Sequence, residues 1–270
     1  MLPFWLSIAV LSLVQAALVA APRAPGVSLL TRLQSRWWAL VLPLSIVVVI
    51  SGVALDSAGA RFLTYLALVA VPPLAVLALV WLVRGARWEL ALLVLPLFAL
   101  AWAAKGSLSG QSAALALSAL ACVSLGWLIA CVVPVRWLKL GIYVMAAVDT
   151  YLVATDLLQG PNAVLNTASP AADLPRLQLA SFGSALMGFG DLFVAATLGA
   201  LLAYDRRLQL RGAAIAAVIG LAFDLLFFAV SELPATVPIA LTLAALELTS
   251  WRRDRATSAP TSGSRRHSPQ

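Results

Sequence analysis

One histidine, two cysteines and eleven acidic residues are all that this chain of 270 residues offers to the commonest kinds of active-site chemistry. His267 lies in a polar tail, and Cys122 and Cys131 share one apolar stretch. That excludes a His-dependent serine triad, an H-E-x-x-H zinc site and a cysteine zinc cluster, so no metal and no cofactor is implied. Charge is scarce as well. Only 11% of the side chains are Asp, Glu, Lys or Arg, where a soluble domain carries about 25%. Hydrophobic residues fill the space, at 62% of the chain and a mean hydropathy of +0.98. This is the composition of a polytopic membrane protein. A transmembrane helix uses ~20 apolar residues, so nine would consume about 180 and leave no room for a separate soluble domain.

Apolar runs bounded by charge, Pro/Gly clusters or Trp fall at about 2 to 21, 38 to 54, 62 to 83, 88 to 104, 114 to 133, 139 to 158, 178 to 204, 213 to 230 and 233 to 251. The expected fold is therefore all-α, with nine transmembrane helices. Eight of the nine tryptophans, all but Trp127, lie at or near run ends, where an amphipathic ring prefers the interface. Ala20 and Ala21 resemble a signal-peptide cleavage site, but no basic residue precedes Arg23, so the first run reads as a retained helix. The segment 159 to 177, with Gly160, Pro161, Pro170 and Pro175, is expected to be an outer loop. Residues 252 to 270 read as a disordered tail.

Fifteen of the 18 basic residues fall in the loops after runs 1, 3, 5 and 7 or in the tail; Arg61, Lys105 and Arg176 are the exceptions. The positive-inside rule then places the N-terminus outside and the C-terminus in the cytoplasm. The pI of 10.2 follows from this topology, and the basic residues are juxtamembrane. A nucleic-acid partner, which needs a basic surface with stacking aromatics, is not expected. Arg outnumbers Lys 16 to 2, which suggests a GC-rich bacterial genome and hence the plasma membrane.

Ionisable residues inside a bilayer are costly and mark functional or paired interior groups. Asp149, Asp191 and Asp224 are central in runs 6, 7 and 8, and no Lys or Arg lies at matching depth. Asp156, Glu89 and Glu247 lie nearer run ends. Runs 6 and 7 are expected to be consecutive antiparallel helices, which puts Asp149 ~14 Å and Asp191 ~20 Å from the outer ends of their runs, at 1.5 Å per residue, so the two acids meet at similar depth. Two carboxylates at one site share a proton, one acting as base towards water and the other as acid towards a carbonyl. Gly188 and Gly190 permit close approach or local unwinding beside Asp191. Small residues also serve ordinary helix packing. Alone, Gly188-Phe189-Gly190-Asp191 is a weak motif.

Asp149, Gly188 to Asp191, and Pro234-Ala235-Thr236 occur in order on the sixth, seventh and ninth runs. In this the chain resembles the presenilin and signal peptide peptidase family of intramembrane aspartyl proteases, whose pattern is Tyr-Asp, Gly-x-Gly-Asp and Pro-Ala-Leu. The similarity covers about residues 140 to 250. It implies a presenilin-like fold, with scaffold helices in 1 to 137, catalytic helices in 138 to 251, and the tail beyond. It further implies Asp149 and Asp191 as the catalytic pair, Gly188, Phe189 and Gly190 as residues shaping the site, and Pro234, Ala235 and Thr236 as substrate-binding. Substrates would be transmembrane peptides or proteins. The N-out, C-in orientation matches signal peptide peptidases, so substrates would enter with their N-termini in the cytoplasm.

Three departures stand out. Val148 replaces the tyrosine, Phe189 fills the variable position, and Thr236 replaces leucine. The first removes a hydroxyl near the dyad and the third adds one; on the pattern alone, Thr236→Leu should be tolerated. Prepilin peptidases share G-x-G-D but continue with a lysine two positions later, where this chain has Phe193. The alternatives are a proton-coupled carrier with Asp149, Asp191 and Asp224 as a relay, or a catalytically silent homologue that binds membrane segments. Asp224 reads best as an interior acid bonded to a hydroxyl or carbonyl, Asp156 as a helix end, and the two cysteines as packing residues. Oligomeric state is not legible.

Overall fold

A computed structural model describes residues 3–26, 32–45, 57–157, 159–168, 170–171 and 174–257. The chain is mostly helical. Helix α1, Phe4–Ala20, starts behind Pro3, whose fixed φ suits a helix entrance and whose carbonyl accepts from the Ser7 N–H and hydroxyl. A 3-10 turn at Arg36–Leu40 continues as helix over 41–45; the rest of the expected second span lies outside the described residues. Helix α2, Ser57–Leu77, carries Pro72 and Pro73 in its interior. It ends in a π-helical turn at Ala78–Leu82. Two prolines remove two N–H donors, and a helix so interrupted needs outside partners. The same helix is tied to its neighbour by Ser124, whose hydroxyl donates to the Leu74 carbonyl at 2.6 Å.

A 3-10 turn at Trp88–Leu93 leads into α3, Val94–Ala103. Helix α4, Leu108–Val132, is capped by Ser107, whose hydroxyl accepts the Gly110 N–H. Helix α5, Val135–Ala154, follows Pro134. Its end is built by Asp156, which has φ of 56°. The Asp156 N–H donates to the Val153 carbonyl and the Leu157 N–H to the Leu152 carbonyl, the pair of bonds that closes a Schellman helix end. Asp156 is thus a helix terminator, as its position near a run end suggested. The segment expected to be a loop contains a short helix, α6, Gln159–Thr167.

The seventh run is where the all-helical expectation fails. Residues 179–188 are not helix: Leu179–Phe182 (β1) and Ala185–Gly188 (β2) pair antiparallel. Their two-residue turn, Gly183-Ser184, has φ of 59° at Gly183, as a type II′ hairpin requires at its first central position. Neighbouring helices hold this turn. Gln111 of α4 accepts the Gly183 N–H at 2.7 Å, and Ser7 of α1 accepts the Ser184 N–H at 3.3 Å. Only then does α7, Phe189–Leu202, begin. Helix α8, Arg206–Asp224, is capped by Asp205 and ends in a 3-10 turn at Leu225–Phe228. Helix α9, Val237–Thr257, closes the described chain.

Among the described residues, four helical stretches are long and apolar enough to cross a membrane: Gly59–Leu82, Leu108–Val132, Val135–Ala154 and Arg206–Phe228. Phe4–Ala20, Trp88–Ala103, Phe189–Leu202 and Val237–Trp251 are shorter apolar helices. The outer surface is apolar: Val69, Leu95 and Val218 are 73%, 70% and 69% exposed. Buried polar side chains include Ser7, Ser12, Gln15, Asp149, Gln209, Asp224 and Thr236. Exposed hydrocarbon around a partly polar interior suits a bilayer as solvent.

Helix α7 is the axis of the bundle, with every residue from Leu192 to Leu202 buried. Its neighbours come close because small residues admit them. A Cβ on Gly199 would stand 2.6 Å from the Leu18 carbonyl oxygen of α1, and one on Gly126 of α4 would stand 2.6 Å from the Thr197 nitrogen. At one end of the bundle, the buried Gln209 donates to the Pro22 and Gly199 carbonyls and accepts from Arg84 and Arg206. That single amide joins α8, α7 and the segment after α1.

Candidate active site

Asp149 belongs to the buried stripe Leu138, Gly141, Ile142, Met145, Ala146 and Asp149 of α5, whose spacing is that of one helix face. Its partner comes from 87 residues further along the chain. Leu233 to Thr236 is non-helical, as expected where Pro234 withholds an N–H, and it lays Thr236 against the carboxyl. The Thr236 hydroxyl donates to Asp149 Oδ2 at 2.6 Å, and the Thr236 N–H reaches the same oxygen at 3.4 Å. Thr236 stands just before α9, where its hydroxyl would ordinarily serve the helix start; here it is turned towards Asp149.

Asp191 is the third residue of α7, not the middle of a long helix. The hairpin delivers the chain to this position, and the Gly188 N–H donates to Asp191 Oδ2 at 3.0 Å. An acid in the first turn also suits the positive end of the helix dipole. Gly188 is needed for space: a Cβ there would lie 2.9 Å from Asp191 Oδ2. Gly190 is less constrained, since its Cβ would meet only the Met145 methyl, at 3.4 Å. The Phe189 carbonyl accepts a weak bond from the Cys122 thiol at 3.7 Å. Cys122 and Cys131 are both buried and free.

Asp149 lies within electrostatic reach of Asp191, although they stand on different helices separated by α6 and the hairpin. In both carboxyls the oxygen gripped by the protein is Oδ2. No family model, curated protein or solved structure matches this chain. The resemblance therefore rests on the motif residues of the sequence.

Other residues singled out in the sequence lie elsewhere. Asp224 accepts a hydrogen bond from the Ser12 hydroxyl of α1 at 2.8 Å, in line with an interior acid bonded to a hydroxyl. Glu247 of α9 pairs with Lys139 at 2.9 Å and accepts from the Tyr143 hydroxyl at 2.9 Å, which ties α9 to the first half of α5. Among the described residues no cluster of three or more His, Cys, Asp or Glu could hold a metal ion.

One residue at the site has no counterpart in the motifs. Gln15 of α1 donates to the Asp191 carbonyl at 3.3 Å and to the Ala235 carbonyl at 3.1 Å. A neutral amide escapes a search for charges, but Gln in an otherwise apolar helix, three residues after Ser12, is itself a signal of an interior partner.

Proposed function

We propose that this chain is an intramembrane aspartyl protease that hydrolyses peptide bonds within transmembrane segments. The observation that carries the reading is that Asp149, held by the Thr236 hydroxyl, lies within electrostatic reach of Asp191, so that three separate segments contribute to one polar site inside an apolar bundle. A dyad of this kind holds one proton between two carboxyls. The ionised member takes a proton from water as the oxygen attacks the scissile carbonyl carbon. The protonated member donates to the carbonyl oxygen. Collapse of the tetrahedral adduct breaks the C–N bond, and the departing amine leaves with a proton. With Oδ2 of each acid held by Thr236 or Gly188, each Oδ1 is left for the water and the carbonyl.

A substrate helix hides its carbonyls in its own hydrogen bonds, so it must unwind before attack. The β1–β2 hairpin ends directly at Gly188, and a strand edge beside the acid offers main-chain pairing to an extended segment. The non-helical stretch at Pro234 and Ala235 offers a second place. In this reading the fold is the nine-span, presenilin-like one, with the N-terminus outside and the substrate's N-terminus in the cytoplasm. The alternative of a three-acid relay finds less support, because Asp224 is engaged with Ser12.

The test is incubation of the purified protein with a panel of model transmembrane peptides, comparing wild type with Asp149→Asn and Asp191→Asn. Cleavage by the wild type that both substitutions abolish is the expected result. Cleavage that survives in either folded variant removes that acid from the mechanism, and a wild type inert towards every peptide counts against the protease.

A further inference from the structure

The geometry points to Gln15 as a positioning residue that holds the two halves of the site in register from the first helix of the chain. This inference rests on the protease reading for its functional meaning and on the hydrogen bonds for its physical basis. Helix α1 lies in the part of the chain that matches the family pattern only in hydrophobicity. It nevertheless buries three polar side chains, Ser7, Ser12 and Gln15, and each has a distinct target. Ser7 holds the hairpin turn, Ser12 meets Asp224, and the Gln15 amide nitrogen reaches both the Asp191 and the Ala235 carbonyls.

The two carbonyls matter because of their neighbours. The first belongs to the acid on α7. The second immediately precedes Thr236, whose hydroxyl and N–H hold the acid on α5. One amide group with two N–H donors therefore fixes the distance between the residue that carries one carboxyl and the residue that orients the other. The Ala235 carbonyl lies in non-helical backbone, and an acceptor there needs a partner because apolar surroundings offer none. Gln15 is 3% exposed, so water does not replace it freely. A tie of this kind acts on alignment and not on the chemistry itself. Small misplacements of reacting groups cost far more in turnover than in stability.

The discriminating variant is Gln15→Met, close in shape but without donors, set against Ser12→Ala, which deletes a neighbouring buried hydrogen bond of the same helix. Two readouts are taken on the full-length protein in detergent. The first is steady-state cleavage of a transmembrane peptide. Gln15→Met should lower kcat about 10- to 100-fold with KM within about threefold, whereas Ser12→Ala should keep substantial turnover. The second is hydrogen exchange in peptides covering 186–195 and 232–238, which needs no turnover. Both should exchange faster in Gln15→Met and remain as in wild type in Ser12→Ala.

Wild-type exchange in both segments of Gln15→Met would overturn the tie, as would a loss of turnover no larger than that of Ser12→Ala. Should Gln15→Met fail to fold, Gln15→Asn keeps the donors on a shorter stem that cannot serve both carbonyls. It should show the same two effects in milder form, and wild-type behaviour there would refute the assignment. If exchange rises as expected while the wild type cleaves no peptide, the tie stands and the protease reading falls.

Discussion

On the proposed protease reading, removing the Thr236 hydroxyl should cripple cleavage while leaving the bundle intact. Thr236→Val is nearly isosteric, and residue 236 is fully buried, so the packing around it changes little. What disappears is the 2.6 Å bond to Asp149 Oδ2; the remaining N–H contact, at 3.4 Å, is long for a strong bond. A hydrogen bond to a charged group is worth about 1.5–3 kcal/mol. If that orientation is needed in the transition state, the loss is about 10- to 150-fold in kcat, at 1.36 kcal/mol per decade. Thr236→Ser retains the donor and should retain most of the rate. The leucine substitution, tolerable on the sequence pattern alone, should behave like valine or worse. The assay is cleavage of a defined transmembrane peptide, with product mass to locate the bond cut and thermal unfolding to confirm the fold. Turnover by Thr236→Val within about twofold of wild type would show that the hydroxyl does not orient the acid, because an effect that small lies below the worth of any such bond.

Asp149→Asn and Asp191→Asn should each abolish cleavage without unfolding, while Asp224→Asn, still able to accept from Ser12, should cleave substantially; peptide cleavage and thermal melts on the three variants decide this. Gly188→Ala should impair cleavage and lower stability by about 1–3 kcal/mol, since its methyl displaces the Asp191 carboxyl. Gly190→Ala, whose methyl meets only Met145, should melt close to wild type. In a background without Cys122 and Cys131, a cysteine at position 163 should react with an impermeant reagent from outside the cell. Labelling there only from the cytoplasmic side would reverse both the topology and the substrate orientation.

The residues that carry charge into the apolar runs were legible because nothing else in such runs costs as much. Asp149 and Asp191 stand out for that reason, and Pro234 because it withholds a donor. The hairpin was not legible. Residues 178 to 204 are almost uniformly apolar, and periodicity cannot separate a buried strand from a buried helix in such a stretch. Gly183-Ser184 is the only local turn signal, and isolated glycines are common in membrane helices. The depth argument that paired the two acids rested on a wrong intermediate: Asp191 lies at the head of a 14-residue helix, not 13 residues into a long one. Neutral partners such as Gln15 and Ser12 carry no comparable electrostatic signature, and their roles emerge only when the helices are packed.

The bond from Gln15 to the Ala235 carbonyl closes a loop of 220 residues, and this sets an order on biogenesis. At roughly 5–20 residues per second, a ribosome needs about 10–45 s to make the partner segment after α1 has been synthesised. Throughout that interval α1 must wait in the bilayer with Gln15 lacking the Ala235 acceptor, and for most of it without Asp191 and Asp224 as well. The proposed dyad is equally incomplete, since Asp149 is without Thr236 until that segment arrives. On the proposed reading, a nascent chain would be inert towards its neighbours in the membrane until the final helix docks.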